Sequence, residues 1–283
     1  MRTRIILTAL VTALSAGAAG GCGGGDAEAS GRTTVVAAFY PLAFAAGEIG
    51  GEAVEVTNLT PAGAEPHDVE LSVRDVELVR SADLVLYLGG GFQPALEDAV
   101  EGADAEALDL LAGLALREGD PHVWLDPQRF AAIAARIGVA LGREAAGEEL
   151  ASGLRALDRE LRAGLADCER RELVTAHDAF GYLAERYALE VHPIGGLAPE
   201  AEPSPRDLER SAELVRERGV TTVFVEPLVA ADVGETVARE AGVETAVLDP
   251  LEGLTEGQLE RGEDYLSVMR TNLAALREGL GCR

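Results

Sequence analysis

The sequence predicts an α/β protein of two lobes, each built on a parallel sheet, joined by a long helix. Short β-rich runs alternate with helical patterns along most of the chain, the signature of βαβ units. A long helical stretch breaks that alternation near the middle. A short motif recurs on either side of it: Ala64-Glu65-Pro66 is followed by Ser72-Val73-Arg74-Asp75, and Ala201-Glu202-Pro203 by Ser204-Pro205-Arg206-Asp207. In both copies Ser stands before a helix with Asp three residues on, a capping-box start. A strand then follows in each, Leu84-Val85-Leu86-Tyr87 and Val223-Phe224-Val225. The first copy carries His67 in a short insertion that the second lacks.

Residues 1–21 have the make-up of an export signal. Arg2 and Arg4 form a positive start, and the apolar run over 5–14 is shorter than the roughly 20 residues a membrane-spanning helix needs. The following Ala19-Gly20-Gly21-Cys22 resembles a bacterial lipobox with Cys22 as the acylated residue, although Ala19 stands where a large aliphatic residue is usual. An ordinary secretory signal with an incidental cysteine is the other reading. Residues 22–32 then make a Gly-rich flexible tether.

Strands over 33–39, 54–59, 83–88 and, more weakly, 108–110, with a helix over 74–80, build the first lobe, 33–126. Pro127 opens the connecting helix, 127–146, at a position where its missing N–H costs nothing. Phe130, Ile133, Ala134, Ile137 and Leu141 recur there at helical spacing, and Gly147 is read as the interruption. A second amphipathic helix through Leu150, Leu154, Leu157, Leu161 and Leu165 begins the second lobe, 147–283. Its strands are expected over 172–176, 190–194, 221–225 and 245–248, with helices over 206–218 and 233–241.

The 283 residues carry a formal charge of −25, and all 24 basic residues are Arg. Phosphate binding needs a positive face, so this composition argues against a nucleic-acid partner. The acids read mostly as solvated helix faces. With Cys22 assigned to lipid, Cys168 and Cys282 remain, and in an exported protein two remaining thiols predict a disulfide that ties down the C-terminus. Closing a loop of that length contributes roughly 4–5 kcal/mol in the chain-entropy picture.

Three of the chain's four histidines sit in turns rich in Pro, Gly, Asp and Ala: Gly63-Ala64-Glu65-Pro66-His67-Asp68, Asp120-Pro121-His122-Val123-Trp124-Leu125-Asp126-Pro127 and Thr175-Ala176-His177-Asp178. Ligands of open α/β sheets bind beyond the carboxyl ends of strands. His67, His122, His177 and Asp249, which directly follows Ala246-Val247-Leu248, could therefore face one crevice between the lobes, two from each side. Three neutral imidazoles and a carboxylate suit tetrahedral zinc, and nitrogen-rich ligation favours zinc, cobalt, nickel or copper over manganese, calcium or magnesium. Each residue has a plainer reading. A lone strand-end His is usually structural, and Asp249 before Pro250 could simply start a turn. Glu65 and Glu226 are candidates to hold the far nitrogens of the imidazoles, with Glu226 otherwise a buried ion-pair partner. Trp124 reads as core or crevice wall, His192 as no ligand, and Asp126 and Asp178 as orienting groups.

These segments resemble the zinc/manganese-type substrate-binding proteins of bacterial ABC transporters, most of all the zinc-uptake members. Gly-Ala-Glu-Pro-His67-Asp, Asp-Pro-His122-Val-Trp-Leu-Asp-Pro, Thr-Ala-His177-Asp-Ala-Phe-Gly-Tyr-Leu and the stretch from Leu248-Asp249-Pro250 to Met269 occur in that family's order. The resemblance covers nearly all of the mature chain. It implies two lobes joined by a rigid helix, the ion between them, and His67, His122, His177 and Asp249 as ligands. It also implies a membrane permease as partner, a monomeric carrier, and Zn(II) as cargo, since manganese-type members usually carry Glu where this chain has His177; a manganese- or iron-specific member of the same family is the alternative. The chain departs from the pattern in three places. The segment 114–119 is short and lacks the His-rich loop of many zinc-type members. Val69 and Leu71 replace Tyr and Pro, and Glu252 stands where Gly is common, changes that bear on local loop shape.

Two other function classes fit parts of the pattern. A mononuclear zinc enzyme would need an open coordination position, which Asp249 would close, and no Gly-x-Ser-x-Gly or His-Glu-x-x-His is present. A surface or adhesive protein stabilised by metal would be unfolded without it.

Overall fold

The computed structural model describes residues 31–117, 119–198 and 203–283. The expected export signal, Cys22 and the expected tether up to residue 30 lie outside them. The first lobe runs β1 (Thr33–Ala37), α1 (Tyr40–Gly50), β2 (Val54–Asn58), α2 (Val73–Ser81), β3 (Leu84–Tyr87), α3 (Pro94–Glu101) and β4 (Glu106–Asp109). Its strands are parallel in the order β2-β1-β3-β4, with Thr33 opposite Val54 and Val35 opposite Leu84. The second lobe repeats the plan with β5 (Glu172–Thr175), α6 (Gly181–Tyr187), β6 (Glu190–Pro193), α7 (Pro205–Arg218), β7 (Thr222–Val225), α8 (Asp232–Ala241) and β8 (Glu244–Val247). Its order, β6-β5-β7-β8, is the first lobe's order shifted by four strands. Two helices close the chain, the short α9 (Glu256–Glu260) and the long α10 (Tyr265–Leu280).

The repeated motif marks equivalent places in the two lobes. Ser72 and Asp75 exchange both capping-box bonds at the start of α2, as do Ser204 and Asp207 at α7. Each helix then feeds the third strand of its sheet, β3 or β7. In both sheets the strand order reverses beside the first strand, which opens a crevice at the carboxyl ends. Both sheets are covered on two faces, so β1, β3, β5 and β7 read as apolar runs rather than as alternating ones.

The connection is a helical hairpin. α4 (Pro127–Ala140) stops short of the expected residue 146, and Gly142 makes the turn at φ +62°. Gly147, read in the sequence as the interruption, lies inside the next helix, α5 (Glu144–Gly164). There it meets Gly138 of α4: a Cβ on either would come within 2.8 Å of the other's Cα. Only glycine permits that approach. α5 is the longer arm, and it packs on α1 of the first lobe and α10 of the second.

One apolar core passes from Phe39 and Leu86 of the first lobe through Trp124, Phe130, Leu154 and Leu157 to Phe180, Phe224 and Tyr265 of the second. A smaller cluster of Val174, Ile194, Val215, Val223 and Val237 lies under α7 and α8. Cys168 and Cys282 are bridged, as expected, and Arg170 N–H donates to Leu280 O across the same junction at 3.1 Å. Among the described residues no helix is long and apolar enough to cross a membrane.

Candidate metal centre

Each of the three imidazoles is delivered by a different device. His67 lies in a single 3₁₀ turn, Pro66–Asp68, whose leading Glu65 accepts the His67 N–H at 3.3 Å. The segment leading to it is anchored twice: Thr60 donates to Ala38 O (2.8 Å), and Gly63 N–H to Leu254 O of the second lobe (3.0 Å). His122 sits in the turn before α4, where Asp120 Oδ1 faces both its backbone N–H (3.0 Å) and its Nδ1 (2.9 Å). His177 leaves the end of β5 two residues past Thr175, whose hydroxyl donates to His177 O at 2.8 Å. Glu226, at the corresponding end of β7, accepts the His177 N–H at 3.2 Å. Its other oxygen lies 2.6 Å from His177 Nδ1, close but off the line of the ring N–H. A carboxylate beside Nδ1 favours a proton on that nitrogen, so that Nε2 of His122 and of His177 is the nitrogen that can bind a metal once its own proton is displaced.

The three Nε2 atoms converge on one oxygen. Glu252 Oε1 lies 3.2 Å from His67 Nε2, 3.1 Å from His122 Nε2 and 3.5 Å from His177 Nε2. Glu252 is fully buried, and its Oε2 has no hydrogen-bond partner. A charge-assisted hydrogen bond is typically about 2.7–2.9 Å, and these separations are longer. They agree instead with the edge of a tetrahedron around zinc, about 3.3–3.4 Å for bonds of about 2.0–2.1 Å. The donor set therefore fits one small cation at the centre of four atoms.

The fourth side chain brought to the imidazoles is thus Glu252, and Asp249, expected in that place, is elsewhere. Both Asp249 oxygens are committed to its own loop: Oδ1 accepts from Leu251 N–H and Oδ2 from Gln258 Nε2, each at 2.7 Å. Asn272 of α10 grips the Asp249 backbone from both sides, accepting its N–H at 2.9 Å and donating to its carbonyl at 2.7 Å. Trp124 Nε1 donates to Pro250 O at 2.8 Å. So braced, the loop holds Leu251 at φ +57° and turns Glu252 into the crevice. Asp249 supports the carboxylate that faces the imidazoles. The sequence signal was the Asp-Pro pair, which starts turns by binding its own backbone. The departure at Glu252, read as a matter of loop shape, is the acid that reaches the centre.

Burial and neighbours set the charges. Burial alone would lower His177, but contact with Glu226 and Glu252 lifts it to about 10. His122 is likewise raised: burial opposes its charge, and Asp120 and Glu252 outweigh that. Burial would raise Glu252, yet the three imidazoles hold it well below the usual carboxylate range. Burial and the nearby Glu252 push Glu65 up to about 9.

The other residues singled out have local roles. Trp124 forms the wall beside His122, with ring centres 5.0 Å apart. Asp126 caps α4 through Gln128 N–H (2.9 Å) and pairs with Arg186 (2.8 Å). Asp178 is half-buried near His122 and His177. His192 pairs with Glu172 on the second sheet and does not join the group of four.

The family described as zinc-uptake complex component A, periplasmic, matches residues 35–279. The zinc-binding protein AdcA of Streptococcus pyogenes serotype M6 is 32% identical over 290 positions, covering 88% of this chain and 56% of AdcA. The chain thus spans about half the length of the AdcA relatives it matches. The high-affinity zinc uptake system protein ZnuA of Bacillus subtilis is 30% identical over 288 positions, with 90% of each covered. The Zn(II)-bound ZnuA-like domain of Streptococcus pneumoniae AdcA superposes with a TM-score of 0.75 at 32% identity, over 88% of this chain and 99% of that one.

Proposed function

We propose, from the premise that this chain belongs to the zinc-uptake complex component A family, that it captures zinc outside the cytoplasm and delivers it to an ABC transporter permease. The observation that carries this reading is the convergence of three Nε2 atoms on one buried carboxylate oxygen at 3.1–3.5 Å. The ligands are His67, His122, His177 and Glu252. Three nitrogens and one oxygen favour zinc over manganese. Four protein donors complete a tetrahedral sphere, which leaves no position for an activated water and supports capture rather than catalysis.

The hydrated ion arrives through an open cleft of about 290 Å³ lined by His67, Phe92, Arg117 and Leu197. It exchanges its waters for the four donors. His67 and His122 come from the first lobe's side, and His177 and Glu252 from the second lobe. Separating the lobes therefore splits the ligand set two and two, which is how a docked permease releases the ion. The carrier acts as a monomer, and an acylated Cys22 would keep it at the membrane surface.

Metal-stripped protein offered equimolar zinc and manganese at neutral pH should retain one equivalent of zinc by elemental analysis. Failure to retain either metal would sink the reading. Replacement of Cys22 by Ala should release the protein from the membrane fraction if the anchor is lipid.

A further inference from the structure

We infer that Arg117 is a positioning residue for the metal centre, acting through Asp120 on His122; this rests on the zinc-capture reading. Asp120 is buried, and its two oxygens face different partners. Oδ1 takes the His122 ring and backbone nitrogens, while Oδ2 lies 3.2 Å from Arg117 Nε. The guanidinium is half-exposed at the lip of the cleft, with its carbon 6.0 Å from the centre of the Tyr182 ring. Tyr182 belongs to α6 of the second lobe, and its hydroxyl fastens the same corner: it accepts Arg117 N–H at 2.8 Å and donates to Asp120 O at 2.9 Å. The neighbouring Gly181 provides the room. A Cβ there would meet Arg117 Nε at 2.7 Å and Asp120 Oδ2 at 2.8 Å.

The chemistry sets the direction of the effect. A carboxylate on the far nitrogen of a metal-binding imidazole fixes its orientation and tautomer and raises its basicity; losing such a partner typically costs about 10–100-fold in metal affinity. Without the guanidinium, Asp120 Oδ2 is a buried charge with no counter-ion, and the carboxylate loses the contact that aims Oδ1 at His122. Arg117 also puts positive charge near an arriving cation. That repulsion acts from a half-exposed, solvent-screened group and is the smaller effect. Removing Arg117 therefore weakens zinc binding. Lys in its place keeps the charge but loses the planar Nε contact with Asp120, so it restores binding only in part.

The test is a double-mutant cycle read by zinc competition against a chromophoric chelator. Arg117→Ala and Arg117→Gln should each weaken zinc binding by about tenfold, with Arg117→Lys intermediate. In an Asp120→Asn background, Arg117→Ala should cost little more, because the path through Asp120 is already broken. Cobalt-loaded Arg117→Ala should also show shifted visible bands, which a residue that only stabilised the lip would leave in place. Unchanged zinc affinity in Arg117→Ala and Arg117→Gln, or an equal fold-loss with and without Asp120→Asn, overturns the inference. A wild-type protein that binds no zinc would instead overturn the capture reading.

Discussion

At the scale of single residues, the sharpest question is which acid meets the ion. Glu252→Gln keeps shape and volume but removes the charge that the three imidazoles face. It should lower zinc affinity by at least about tenfold, since even partners one step removed from the metal are worth that much. Asp249→Asn keeps an acceptor for Leu251 N–H and should lower the melting temperature while shifting zinc affinity far less. Competition titrations of both variants decide the matter, and equal losses would count against Glu252 as the ligand. On the zinc-capture reading, protons compete with the ion at the same centre. With its pKa raised from 6.5 to about 10, His177 is imidazolium in the ion-free protein at pH 7. Its pairing with Glu226 stabilises the ion-free fold fully below pH 6.5, and that contribution is lost as pH rises through about 10. Zinc must displace this proton, so binding strengthens as pH rises from acid toward neutral. Calorimetry at pH 7 in two buffers of different ionisation enthalpy should give different heats; identical heats would mean that no proton leaves.

At the scale of elements, two features hold the frame that aims these side chains. The paired capping boxes start equivalent helices in the two lobes, and Ser72→Ala or Ser204→Ala should each cost about 1 kcal/mol of stability. The contact between Gly138 and Gly147 is tighter than any side chain allows. Gly147→Ala gains helix propensity of up to about 1 kcal/mol, but overpacking at this crossing costs about 1–3 kcal/mol, so a net loss should appear in thermal melts. Most of this level was legible in the sequence. All eight strands fall within a few residues of their expected places, because apolar runs and turn residues are local signals. The role of Gly147 was not legible. Glycine as a helix breaker and glycine as a close-packing residue look alike until the partner helix is known.

At the scale of the whole molecule, the two lobes share one core through Trp124, Phe130 and Tyr265. The ion-free protein should therefore remain folded, and a melt in chelator should show a cooperative transition that zinc moves upward by mass action. An unfolded chain in chelator would favour a metal that serves only as a structural staple. The Cys168–Cys282 bridge closes a span of 114 residues and constrains the unfolded chain by about 5 kcal/mol in the entropic account. Its reduction should lower the melting temperature by several degrees and leave zinc binding in place, since the bridge joins the end of α10 remote from Asp249 and the Glu252 loop.

The chain order of strands and helices, the doubled lobe, the cysteine pair and the three histidines of the centre were all written in the sequence, because each depends on residue type and short spacing. The assignment between Asp249 and Glu252 was not. Both acids occupy one loop, three residues apart, and their fates diverge only when Gln258 of α9 and, from farther along the chain, Asn272 and Trp124 close on that loop. Local chemistry decides which side chains can bind an ion; packing decides which of them is free to do so.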